Sequence, residues 1–161
     1  MFTVDGMRRF HDWTHRCLSL LLDHLATIPV DEYVKEVPGF GFPTLRQQVI
    51  HIFNCEAFWI HALQGLPFID LLQESCPALY DAMRLKEEVS AGTIAYLSGL
   101  TDGQLNGDTE LHFSDGDTAV RTPAFIVHHI LTHAFHHKGQ VVAMCRVLGH
   151  PAPDTDLNRF E

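Results

Sequence analysis

The chain predicts an all-α fold: a four-helix bundle with a short β-hairpin between its third and fourth helices. Three observations carry this. Four long runs place apolar residues at helical spacing. Proline and glycine punctuate the gaps between those runs. One stretch, 107–121, breaks the helical period and carries an Asp-Gly turn instead. With 161 residues, the chain is most simply a single domain, 1–161, long enough to bury a proper core.

The first run, from about 4 to 28, brings Phe10, Trp13, Cys17, Leu18, Leu21, Leu25 and Ile28 to one side, and Pro29 ends it. Residues 29–43 form a long connection rich in proline and glycine. Within it, Gly39-Phe40-Gly41-Phe42 is placed either to lay aromatic rings over a pocket mouth or to cover the core edge. Thr44 opens helix two, and Thr44 with Gln47 matches a capping box. That helix runs to about Gln64 and stops at Gly65-Leu66-Pro67. It carries two apolar stripes. One is His51, Cys55, Phe58 and Ala62, flanked by Trp59; the other is Leu45, Val49, Ile52, Ile60 and Leu63.

Residues 65–76 are expected as a loop. Helix three covers about 77–99, with Pro77 in its first turn and Gly92 as a weak point. The hairpin places residues 110–113 before Asp115-Gly116 and residues 118–120 after it. Thr122-Pro123 supplies an N-cap and a first-turn proline, and helix four runs from there to Leu148. Residues 149–161 read as a surface tail.

Composition excludes several functions. The formal charge is −9 and Lys and Arg form no cluster, so direct nucleic-acid binding is not expected. No apolar stretch reaches ~18 residues, so no membrane span is expected. Cys17, Cys55, Cys76 and Cys145 form no CxxC pair and read as scattered thiols in a reducing compartment. Asp5, Arg8 and Arg9 precede the first apolar run, so no secretory signal is expected and the location is cytoplasmic.

The histidines carry the chemistry. Five of the twelve lie between 128 and 137. On helix four, His129, His133 and His137 stack one turn apart, and Gln140 continues their stripe. Phe125, Ile126, Ile130, Val141, Met144 and Leu148 lie on or beside it, so the stripe is expected to be the buried face. Buried imidazoles are costly unless their nitrogens are satisfied, by a hydrogen-bonded ladder or by a divalent ion. Three in succession favour the ion. Bundle sites draw on facing helices, and His51, mid-helix beside Phe58 and Ala62, is the best partner. His11, His15, His24 and His61 rank lower, near helix ends or on mixed faces.

A set of His51, His133 and His137 leaves positions on the ion open, the mark of a catalytic rather than a structural site. His129 is then a further ligand or a pocket residue, and Gln140 or Gln47 orients the ligands. Cys55 follows His51 by one turn and either faces the site or packs as a small core residue. There is no HExxH, and no pair of Glu-x-x-His motifs for a di-iron centre.

These residues resemble the DinB/YfiT-like family. His51 is followed by Glu56 and Trp59, and helix four carries His129, His133, His137, Gly139 and Gln140 in that family's spacing. The resemblance covers essentially the whole chain. Lys138 stands where the family usually has arginine. The resemblance implies a bundle that is often dimeric and holds nickel or zinc on the positions of His51, His133 and His137. For some relatives it implies a metal-dependent thiol S-transferase or isomerase using a low-molecular-weight thiol cosubstrate. The expected function is therefore that of a metal-dependent enzyme of the thiol S-transferase or hydrolase type, acting on a small-molecule substrate. The alternative is a non-catalytic, metal-stabilised stress-response or ligand-binding module. A homodimer is also expected, because Val127, Leu131, Ala134, Val142 and Cys145 add apolar surface beyond the histidine stripe, as the second stripe of helix two does. The competing account has the other helices and the 29–43 connection cover both.

Overall fold

The computed structural model describes residues 1–67 and 76–160. The loop expected at 65–76 falls mostly outside them. The elements in order are α1 (Val4–Leu25), α2 (Val30–Tyr33), α3 (Leu45–Gln64), α4 (Leu79–Ser98), α5 (Asp102–Asn106), β1 (Thr109–His112), β2 (Thr118–Arg121), α6 (Pro123–Val147) and a 3₁₀ turn (Leu157–Arg159). The four long helices are the four expected. No helix among the described residues is long and apolar enough to cross a membrane.

Local chemistry sets the ends. Thr44 Oγ1 accepts from Gln47 N at 3.1 Å and Gln47 Oε1 accepts from Thr44 N at 3.0 Å, which starts α3 by a reciprocal cap. Gly65 ends α3 at φ 66°, a left-handed conformation that glycine adopts without a Cβ penalty. Thr122 Oγ1 accepts from Phe125 N and Pro123 follows it, so α6 begins where the sequence predicts. The short helix α5 was not expected, although its signal is present: Thr101 and Gln104 form the same reciprocal cap as Thr44 and Gln47.

β1 and β2 pair antiparallel, with Glu110 opposite Val120 and Leu111 opposite Ala119. Gly116 at φ 91° turns the chain between them. Leu111 is fully buried against Ile60 and Leu63 of α3 and Ile126 and Ile130 of α6, which pins the hairpin to the bundle.

α3 is the spine, packing against both α4 and α6, while α1 packs against the same two helices. Both stripes of apolar residues therefore find cover within one chain. Leu45, Val49, Ile52, Ile60 and Leu63 are all buried. On α6, Val127 and Leu131 pack with Met7, Leu97 and Leu105, while Ala134 and Cys145 join the larger core around Leu18 and Phe53. The chain's own helices cover this apolar surface except at Val142, which is half-buried.

One expectation is corrected. The histidine stripe is not the centre of the buried face of α6. Phe125 is 58% exposed, His129 is exposed and His133 is half-buried; His137 alone of the three histidines is buried. The buried seam runs instead through Val127, Leu131, Ala134, Lys138, Val141 and Cys145, and the histidines flank it. The tail is tied to α6 at Lys138. Lys138, itself buried, donates from Nζ to the Thr155 carbonyl at 2.7 Å and lies 4.9 Å from the Phe135 ring centroid.

One buried polar cluster ties the bundle together. Glu56 of α3 accepts from His11 Nε2 at 2.7 Å and His15 Nε2 at 3.0 Å, both on α1, and from Thr93 Oγ1 of α4 at 2.6 Å. All four side chains are buried. Burial alone would raise the Glu56 carboxyl. The electrostatic pull of His15 and the hydrogen bonds from both histidines outweigh it and hold the group well below the usual carboxylate range. A carboxyl with a lowered folded pKa contributes stability that is present above its unfolded value and lost as pH falls through the folded one. Glu56→Ala is expected to lose about 3–5 kcal/mol in urea unfolding at pH 7, the cost of leaving the partners of a buried ion unpaired. The variant's stability should also depend less steeply on pH below the ordinary carboxyl value of 4.5 than the wild type's.

Candidate metal centre

α3 supplies His51, and one turn apart on α6 stand His133 and His137. The structure brings these three together, with one ring nitrogen of each within 4.8 Å of the others. His51 Nε2 and His133 Nε2 face each other at 3.1 Å. Two nitrogens bound at about 2.0–2.1 Å to one tetrahedral ion would stand about 3.3 Å apart. Ring centroids lie 4.8 Å apart for His51–His133, 4.6 Å for His51–His137 and 4.4 Å for His133–His137.

The orientation of His137 is determined by an amide. Gln48 is fully buried. Its Nε2 donates to the Phe42 carbonyl at 2.8 Å and to Gln140 Oε1 at 2.9 Å. Its Oε1 therefore faces His137 Nδ1, at 2.7 Å, and that nitrogen must carry the proton. Nε2 of His137 is left as the lone-pair donor, turned toward the other two rings' side of the fold. Gln140 continues the chain by donating to His136 Nε2 at 2.7 Å.

Electrostatics keep the rings neutral. Burial, then His137 and His51, push the His133 pKa down to about 3. Burial, then His51 and His136, push that of His137 down to about 4. His133 Nδ1 is buried and has no hydrogen-bond partner among the described residues, which adds to the cost of charging that ring. Phe42 stacks on His51, with centroids 4.1 Å apart and planes 27° apart, and presents its edge to His137 at 5.9 Å. The 38–42 stretch thus lays one aromatic ring over the imidazoles.

The remaining sequence candidates divide. His129 lies 5.8 Å from His133 by ring centroids, outside the trio, with the Trp59 ring edge-on to it at 5.5 Å. Cys55 is half-buried and outside the trio, and burial with the nearby Glu56 charge pushes its thiol up to about 11. Gln140 meets the site through Gln48, the amide that holds His137. Gln47 does not, because its side chain caps α3; Gln48, about 100° further round the helix, takes that role. The signal was available, since Gln48 sits three residues before His51 and shares its face.

The buried His11, His15 and Glu56 also have metal-binding donor types, within the same 4.8 Å limit. Here both Nε2 atoms already meet the carboxylate, and both Nδ1 atoms lack a hydrogen-bond partner among the described residues. An ion on Nε2 would move the ring protons onto those buried, partnerless atoms. The arrangement fits a hydrogen-bonded carboxylate. The sequence ranking missed it by placing His11 and His15 near a helix end, although their i, i+4 spacing puts them on one face.

Comparison with known proteins agrees with this architecture. The family model described as the DinB family matches residues 5–161. The Protein DinB of Bacillus subtilis (strain 168) is 23% identical over 153 residues, covering 87% of this chain and 84% of its own length. A crystal structure of a DinB-like protein from Bacillus cereus superposes with a TM-score of 0.68 at 20% identity, covering 94% of this chain and 97% of that one.

A ring held neutral by the fold contributes stability that is complete above its unfolded pKa, near ~6.5, and lost as pH falls toward its folded value. In the metal-free protein, an NMR titration of the ring protons should give midpoints near about 3 for His133 and about 4 for His137. Midpoints near the unfolded value would show that the pocket does not desolvate them.

Proposed function

This chain belongs to the DinB family, and from that membership and the imidazole trio we propose that it is a metal-dependent enzyme. In this reading His51, His133 and His137 hold one zinc or nickel ion, and the reaction is a thiol S-transfer or hydrolysis on a small-molecule substrate. The observation that carries it is the convergence of three imidazole nitrogens from two helices, with His137 turned by Gln48 so that Nε2 is the free donor. The residues fit such an ion. The donor set is all imidazole, two of the rings are held neutral, and the outer N–H of His137 already has its acceptor.

When bound, the ion supplies Lewis acidity, lowering the pKa of a thiol or a water. The chain's own groups do the rest. Gln48 holds the tautomer and angle of His137. Phe42 shields His51 from water on one side. Burial raises the Cys55 thiol to about 11, so for the S-transfer a low-molecular-weight thiol cosubstrate is the better nucleophile, and for the hydrolysis water is.

The test is metal titration of chelator-stripped protein, followed by turnover with a thiol and a panel of electrophiles and esters. One zinc or nickel per chain is expected. Gln48→Leu should weaken binding by about 10–100-fold, and His51→Ala by more, since it removes a ligand rather than a ligand's partner. Turnover that His51→Ala abolishes supports the enzyme. Stoichiometric metal without turnover would favour the non-catalytic module, and absence of metal binding would sink the reading.

A further inference from the structure

The face of α3 that carries His51 continues past the imidazoles through Cys55, Phe58 and Ala62. Phe58 lies about 10 Å along the axis from His51, at roughly 1.5 Å per residue. His51, Cys55 and Phe58 are each half-buried, so this stripe is the floor of an open trough rather than a seam in the core. α6 borders it with His133 and His129, and Trp59 meets His129 edge-on. At the near end stands Phe42, over His51. At the far end the chain after β1 lays Phe113 parallel to Phe58, with centroids 6.0 Å apart and planes 7° apart. Trp59 stands edge-on to both, at 5.2 Å and 6.1 Å. Beyond that pair opens a recess of about 450 Å³, lined by Phe58, Ala62, Leu66, His112 and Phe113 among others.

We propose that this trough binds the body of the substrate, and that the body is a neutral aromatic small molecule whose reacting end reaches the imidazoles. The inference rests on the reading of His51, His133 and His137 as the reactive centre. The recess falls in the size range of small-molecule pockets, and its Phe58 shares one face of α3 with His51. Phe58, His112 and Phe113 contribute rings to its lining, which favour a flat unsaturated partner in offset or edge contact. No Lys or Arg lines the recess among the described residues. The chain carries −9 overall. A phosphate or carboxylate on the body of the substrate would find no lysine or arginine to pair with in the recess among the described residues.

The test uses metal-free protein, so that it does not depend on the ion. 2-Naphthol is the neutral probe and 2-naphthalenesulfonate its anionic counterpart, with binding read from Trp59 emission in a Trp13→Phe background. Naphthol is expected to bind at least about tenfold more tightly than the sulfonate. Phe58→Ala and Phe113→Ala should each weaken naphthol by about tenfold, the combined loss of ring contact and apolar area. Tyr80→Ala, on the exposed face of α4 away from the trough, should leave it unchanged. Should Phe58→Ala fail to fold by circular dichroism, Phe113→Ala in the loop after β1 carries the test. Absent naphthol binding, equal affinity for the sulfonate, or unchanged affinity in Phe113→Ala would overturn the proposal. Failure of metal binding with this pattern intact would remove the proposed reaction and leave the aromatic trough standing.

Discussion

The hydrogen bond from His137 Nδ1 to Gln48 Oε1 joins α3 to α6 where the two helices carry their imidazoles. It is also the junction of a small network, because the same amide holds the Phe42 carbonyl and the Gln140 side chain. A buried amide leaves little freedom in such a place. With both N–H groups donating, its oxygen must accept, and the tautomer of His137 follows. Loss of the link would leave a buried imidazole N–H without an acceptor, a cost of about 1–3 kcal/mol, and would release the aromatic ring over His51. The position of the loop, the angle of one imidazole and the cover over another therefore share one cause.

α3 answers to polar groups on two sides. His51 and Gln48 face α6, while Glu56, five residues after His51 and so about 140° round the helix, faces α1 and α4. The two histidine-bearing clusters contain similar side chains and differ in chemistry because of what the nitrogens meet. Around Glu56, both rings turn Nε2 toward a carboxylate that a third donor, Thr93, also holds. In the trio the rings crowd one another, and burial holds His133 and His137 neutral. One arrangement locks three helices together; the other leaves lone pairs pointing at a shared space. A rigid α3 on the Glu56 side is what allows His51 to be placed on the other.

Apolar packing sets the boundary of the site. The seam of α6 through Val127, Leu131, Ala134 and Cys145 is fully taken up by the other helices, so the histidines are displaced to its flank. That flank is half-open. It has aromatic residues at both ends, Phe42 from the connection and Phe113 from the hairpin, and each is held by contacts that originate on α3. The two irregular segments of the chain thus finish a site whose floor is helical.

The sequence by itself determined the four long helices, their caps and the hairpin, because those features depend on residues close together in the chain: Thr44 with Gln47, Thr122 with Pro123, Gly65, and the turn at Gly116. It also marked His51, His133 and His137, since i, i+4 spacing and a shared face are local properties of a helix. Tertiary structure decided which face each helix buries. The exposure of His129 and Phe125, the choice of Gln48 over Gln47 and the cover over the supposed dimer surface all follow from how α6 is rotated against α1 and α3. Helical periodicity specifies a stripe but not the neighbour it meets. α3 is apolar around much of its circumference, so only the packing of the whole bundle could say that its polar minority, Glu56 on one side and Gln48 and His51 on the other, would each find partners.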